Sequence, residues 1–143
     1  MSDPFRYLMR VRYGECDAQG VVFNARWGEY VDLAASEYTR AMFGRMIDAS
    51  ELDWRLVKQT TQWHVPARFD EILDACVRTV RVGTTSFVFA TEFFRDGVKL
   101  ADCETVYVAV DSTGVKRPVP DRNRTALEGG APDTLIDQSG GSR

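Results

Sequence analysis

This sequence predicts an α+β fold, with one long helix packed against a run of antiparallel strands. Apolar side chains recur at helical spacing from Trp27 to Met42. The stretch from Trp54 to Val110 is rich in β-formers and broken by tight-turn signals. A helix set apart from consecutive strands is the α+β pattern. The length, 143 residues, suits one domain that buries its own core without a disulfide or metal.

Each element has its own signal. Residues 6–13 alternate partly and read as a strand. Gly14 to Gly20 is a polar, turn-rich break. Trp27, Tyr30, Val31, Ala34, Ala35, Tyr38, Ala41 and Met42 then fall on one helical stripe, so a helix is expected over 25–43, with Gly44 as its C-cap. Residues 46–51 form a connection, and Trp54 to Val65 is a strand ended by Pro66. Strands follow over 72–82, 86–95 and 98–110, the last two joined by the hairpin dipeptide Asp96-Gly97. Phe87, Phe89 and Phe93 share one face and read as core. Residues 1–126 thus make the domain, and 127–143, with four glycines and little apolar content, read as a flexible tail.

Composition excludes several classes. Eighteen Lys and Arg against 21 Asp and Glu give a net charge of −3, and the pI is near 5.2, unlike the basic balance of nucleic-acid binders. No apolar run approaches a membrane span, and the N-terminus lacks the pattern of a signal peptide. Cys16, Cys76 and Cys103 are odd in number and far apart, which suits free thiols in a cytoplasmic protein. His64 is the only histidine, so no site built on two or three histidines can form; it reads as a packed or hydrogen-bonded strand residue. GxSxG, GxGxxG and P-loop signatures are absent. Any chemistry is left to carboxylates, hydroxyls and backbone amides.

The informative segment is Gly14-Glu15-Cys16-Asp17-Ala18-Gln19-Gly20-Val21-Val22-Phe23-Asn24, which leads into the helix. An isolated D-x-x-G reads as a strand end and a capping turn. The run as a whole, continued by Trp27, Tyr30, Asp32, Ala34-Ala35-Ser36 and Tyr38, resembles the hotdog-fold thioesterases of the 4-hydroxybenzoyl-CoA thioesterase family, and the YbgC-like group of small bacterial acyl-CoA thioesterases. The likeness covers roughly residues 7 to 120, more loosely after the helix, at Pro66-Ala67-Arg68-Phe69-Asp70-Glu71, Thr85-Ser86-Phe87 and Asp96-Gly97.

That resemblance implies a five-stranded antiparallel sheet wrapped around one long central helix. It implies an acyl-CoA thioesterase in which Asp17 is the catalytic carboxylate, either as nucleophile or as general base for water. The backbone N–H of Asn24, at the helix start, would polarise the thioester carbonyl, a donor typically worth about 3–4 kcal/mol, and Gly20 would let the chain approach the substrate. Where the family often carries Tyr or His, this chain has Asn24. Glu15 reads as a solvated carboxylate or as a group that positions the loop. Asp32 matches an aspartate of the aryl-CoA branch and would either contact a polar acyl group or pair with an arginine.

Coenzyme A belongs to the substrate, and no metal or other cofactor is expected. A net-acidic chain needs a local basic patch for the nucleotide; Arg78, Arg81, Lys116, Arg117, Arg122 and Arg124 are candidates, each equally explained by surface solubility. The hairpin that contacts the nucleotide in the family here carries Thr84, Thr85 and Ser86 instead of basic residues, and hydroxyls hold phosphate more weakly than arginine. Acyl carrier protein is therefore an alternative carrier, and a non-hydrolytic acyl-binding protein is an alternative function. Hotdog dehydratases rely on a His with an acidic group, and His64 matches neither of their motifs. The family also implies a homo-oligomer, dimer or tetramer, whose sites take residues from two subunits.

Overall fold

A computed structural model describes residues 2–44 and 52–141 of the chain. The connection expected over 46–51 lies outside the described residues. The strands are β1 (Phe5–Arg10), β2 (Asp53–Trp63), β3 (Ile72–Val82), β4 (Ser86–Arg95), β5 (Val98–Val110) and β6 (Leu135–Asp137), and the helices are α1 (Trp27–Phe43) and α2 (Asp121–Gly129). They form one sheet in the order β2-β5-β4-β3-β1-β6. Five strands pair antiparallel, but β6 runs parallel to β1. The expected five-stranded antiparallel sheet is thus corrected to a mixed sheet of six.

The core lies between α1 and the sheet because the helical stripe and the period-two faces of the strands are both apolar. Trp27 and Tyr30 pack on Phe93, and Tyr38 packs on Phe5 and Phe89. Phe87 stacks on Tyr107 with centroids 5.3 Å apart. These contacts fix the direction of α1: it starts over the Phe93 end of β4 and runs toward the Ser86 end. Asp96 and Gly97 both take positive φ, as the tightest hairpin turn requires.

Two features depart from the sequence reading. The helix expected over 25–43 begins with a 3₁₀ turn, Asn24–Arg26, before α1 proper. Residues 127–141, read above as part of a flexible tail, hold the end of α2 and all of β6, so the boundary at 126 falls inside a helix. β6 is short, but side chains hold its flanks. Arg10 donates through Nε to the Ser139 carbonyl at 2.8 Å, and the Tyr7 hydroxyl donates to Gln138 Oε1 at 3.1 Å. The backbone N–H of Asp133 donates to the Asp3 carbonyl at 2.9 Å.

Candidate active site

Between β1 and α1 the chain makes a tight reversal. The Gly20 N–H donates to the Asp17 carbonyl at 2.9 Å, and the Asp17 N–H donates to the Val21 carbonyl at 2.8 Å. Gly20 sits at φ +77°, a left-handed conformation that suits glycine at a bulged hairpin turn. The Asp17 carboxylate accepts the Gln19 N–H at 2.8 Å. Cys16 pairs with Val22, and Val21 pairs with Arg68, so the turn is tied to the segment before β3. The Phe23 N–H donates to the Glu15 carbonyl at 2.9 Å. Asn24 follows at once and opens the helical segment, three residues beyond the hairpin partner of Asp17, or within about 10 Å along the chain. N–H groups at a helix start have no acceptor within the helix and lie at its positive dipole end.

Glu15 is the anchor of this turn and is far from solvated: it is 6% exposed. Its carboxylate accepts the Arg12 N–H at 2.8 Å and the Arg12 guanidinium at 2.7 Å and 3.0 Å. The Tyr30 hydroxyl, on α1, donates to it at 2.8 Å. Burial alone pushes the Glu15 carboxyl up, but the hydrogen bonds from Arg12 and Tyr30 outweigh it and hold the group below its usual range. Burial and the Glu15 charge push the Tyr30 hydroxyl far up, so it stays a donor. Glu15 is therefore the group that fastens the loop to the helix. The sequence carries no sign of its Tyr30 partner, because the two are 15 positions apart and meet only through packing.

Asp17 and Gly20 line a cleft of about 480 Å³ with Tyr13, Cys16, Ala18 and Phe69. Tyr13 is 81% and Phe69 53% exposed, and their rings meet edge-on with centroids 5.8 Å apart. Neither aromatic has a role of its own in the sequence, where Phe69 stands only within the string of residues 66–71; their exposure in the folded chain singles them out.

The other candidate residues lie elsewhere. Asp32 is on the exposed side of α1, close enough to Tyr107 for its charge to add to the burial that raises the phenol. Among the described residues it makes no ion pair with an arginine. Thr84 and Thr85 lie in the β3–β4 turn and Ser86 opens β4; the Thr84 and Thr85 carbonyls accept the N–H groups of Val119 and Ala109 at 2.9 and 2.8 Å. Arg117 and Arg124 are at the same end: the Arg117 N–H donates to the Ala109 carbonyl at 3.0 Å, and the Arg124 guanidinium donates to the Gly83 carbonyl at 2.7 Å. From Phe93, beneath the helix start, to Ser86 is seven residues of strand, about 23 Å. One protomer therefore unites Asp17, Gly20 and Asn24, and separates them from Thr84, Thr85, Ser86 and Arg117. His64 lies just past the end of β2 and bonds Asp102 Oδ2 through Nε2 at 2.7 Å; the Asp102 carboxyl is held below its usual range by that bond and by Lys99.

Known proteins share this framework. Residues 19–101 match the model of the Thioesterase superfamily. The acyl-CoA thioester hydrolase YbgC of Escherichia coli O6:H1 is 28% identical over 115 residues, spanning 78% of this chain and 86% of that one. A solved thioesterase-superfamily structure from Jannaschia sp. CCS1 superposes with a TM-score of 0.84 at 20% identity, covering 90% of this chain and 94% of that one. The 1,4-dihydroxy-2-naphthoyl-CoA thioesterase of Synechocystis gives a TM-score of 0.76 at 19% identity, over 86% of this chain and 94% of that one. The fold is the hotdog fold of these proteins. With more than half of its residues under the family model, the chain belongs to the Thioesterase superfamily.

Proposed function

We infer that this chain hydrolyses acyl-CoA thioesters to the free acid and CoA. The observation that carries the reading is the fastened turn: a carboxylate, Asp17, and the N–H groups opening the helical segment at Asn24 are held on one short hairpin by the buried Glu15. Asp17 supplies the attacking carboxylate or activates a water. The Asn24 N–H takes up charge on the thioester oxygen, with the helix dipole aiding it. Its contribution comes from the backbone, so the Asn24 side chain is dispensable for it. Thioester hydrolysis of this kind calls for no metal or redox cofactor. Three free thiols fit a cytoplasmic enzyme.

The working unit is a homodimer, or a tetramer built from such dimers. β2 is an edge strand of 11 residues whose Leu56 and Trp63 are half exposed, and an open edge of that length invites pairing. Antiparallel pairing of two β2 strands reverses the partner. Its β3–β4 turn then lies at the end of the joint sheet that carries Asp17. The hydroxyls of Thr84, Thr85 and Ser86, with Arg117, can then serve the substrate bound in the other subunit, and Asp32 lies near Tyr107 of β5, one strand from that seam.

The test is thiol release from a panel of acyl-CoAs by wild type and Asp17→Asn. The variant should keep fold and oligomer and lose at least about 100-fold in turnover, the usual scale for a lost catalytic acid or base. Wild-type turnover in the variant would remove Asp17 from the mechanism.

A further inference from the structure

The face of the sheet beneath α1 is aromatic or apolar over most of its length, but one corner is polar. Ladder pairing sets Gln59 of β2 opposite Thr105 of β5, and Thr61 of β2 opposite Cys103, which is in turn opposite Thr91 of β4. All five side chains point toward α1, because they alternate in step with the core residues Phe89, Phe93 and Tyr107. Thr91 and Thr105 are each 1% exposed, and neither hydroxyl has a hydrogen-bond partner among the described residues. Thr105 Oγ1 is near enough to the Tyr107 phenol to offset part of the burial that raises it, but the two do not meet in hydrogen-bond geometry. The Thr61 hydroxyl, by contrast, donates to Cys103 Sγ at 3.2 Å. Native cores seldom leave buried hydroxyls without a partner.

This corner lies beside the start of α1. Gln59 Nε2 stands 3.4 Å from where a Cβ on Gly28 would be, so the glycine lets the carboxamide touch the first turn of the helix. Gly28 follows Asn24 by four residues, or about 6–8 Å along the axis. Gln59 is exposed and Thr61 half-buried, so the corner opens toward the free edge of β2. Among the described residues the Gln59 carboxamide has no hydrogen-bond partner.

We propose that Gln59 and Thr105, with Thr91 behind them, form a polar end to the acyl chamber, which selects acyl groups carrying a neutral hydroxyl about one helical turn from the thioester carbonyl. The proposal rests on the thioesterase reading for the position of that carbonyl. Each of these side chains can both donate and accept, as a hydroxyl can, and none is charged. A site built to hydrogen-bond a substrate hydroxyl rejects the analogue that lacks it, because its own polar groups are then left unpaired.

Wild type, Thr105→Val and Gln59→Leu are given matched acyl-CoAs that differ by one hydroxyl: ω-hydroxyhexanoyl against hexanoyl, and hydroxybenzoyl against benzoyl. Wild type should prefer the hydroxylated member of at least one pair by at least about tenfold in kcat/KM, and each variant should lower that preference by at least about tenfold. The melting temperature of Thr105→Val without substrate should not fall, because a methyl of the same shape replaces a buried hydroxyl that bonds nothing. Equal kcat/KM within both pairs for wild type, or a preference that survives both substitutions, would overturn the proposal. So would a lower melting temperature of Thr105→Val with its preference intact, which would assign the hydroxyl to the fold. If wild type hydrolyses none of the four esters, the thioesterase reading fails, and the chamber is read by calorimetric titration with ω-hydroxyhexanoate and hexanoate. Thr105-dependent binding of the hydroxy acid alone would keep the chamber; equal binding of the two acids, or none, would sink it.

Discussion

The two edges of the sheet are built differently. On one side β2 is long, has no strand on its outer edge among the described residues, and carries half-exposed Leu56, Val57 and Trp63. On the other, the six residues of β1 are covered by β6, which is three residues long. β6 itself contributes few ladder bonds; its flanks are held by Arg10, Tyr7 and Asp3. An uncovered strand edge is a template for another chain. A sheet with one edge closed in this way and one left open favours a finite pair over an endless ribbon. The short C-terminal segment closes the β1 edge, which leaves β2 as the seam of the proposed dimer.

The largest expected effect comes from charging the seam. Leu56→Lys with Trp63→Lys should convert the proposed oligomer to a 16.1 kDa monomer, because inward-placed charge blocks edge pairing. Light scattering after size exclusion reads the mass. An unchanged oligomer would move the interface away from β2. If the site draws groups from two subunits, thioester hydrolysis falls with the dimer.

Opening the closed edge should matter next. Truncation after Gly130 removes β6 and its ties from Arg10 and Tyr7. It removes at least seven hydrogen bonds to residues 3–10; at about 0.5 kcal/mol or more for each, and roughly 3 °C per kcal/mol for a chain of this size, the melting temperature should drop by at least about 10 °C. The bared β1 edge should also raise the apparent mass at high concentration. An unchanged melting temperature and mass would mean that β6 closes nothing.

The smallest effect is one of pH. The Asp137 carboxylate accepts the Ser139 hydroxyl at 2.6 Å and its N–H at 3.0 Å, and the side-chain bond, then the backbone bond, holds it below its usual range. A folded-state pKa that is depressed contributes stability above the unfolded value, near 3.9, and loses it as pH falls through the folded value. Amide exchange of residues 135–139 should therefore quicken, relative to that of β4, only below about pH 4. Quickening between pH 5 and 7 would assign the docking to another group.

Local patterns made much of the fold legible. The α1 stripe, the Asp96-Gly97 hairpin and strands over 72–82, 86–95 and 98–110 were readable because each depends on neighbours in the chain. The Gly14–Asn24 run marked the turn before α1 for the same reason. β6 was illegible: Leu135-Ile136-Asp137 has no periodicity of its own and becomes a strand only against β1. α2 offered Pro120 ahead of Asp121 and glycines after Leu127, a capping pattern that its polar composition obscured.

The sequence by itself determined one apolar helix face, a β-rich remainder, a single histidine and a carboxylate–glycine turn leading into a helix. These follow from residue spacing and from what each side chain can do chemically. Only the tertiary structure decided that Glu15 is buried beneath Arg12 and Tyr30, that Tyr13 and Phe69 meet over Asp17, and that Thr84, Thr85 and Ser86 lie at the far end of the protomer. Those relations join residues distant in the chain, and packing of the helix on the sheet, not local preference, brings them together or keeps them apart.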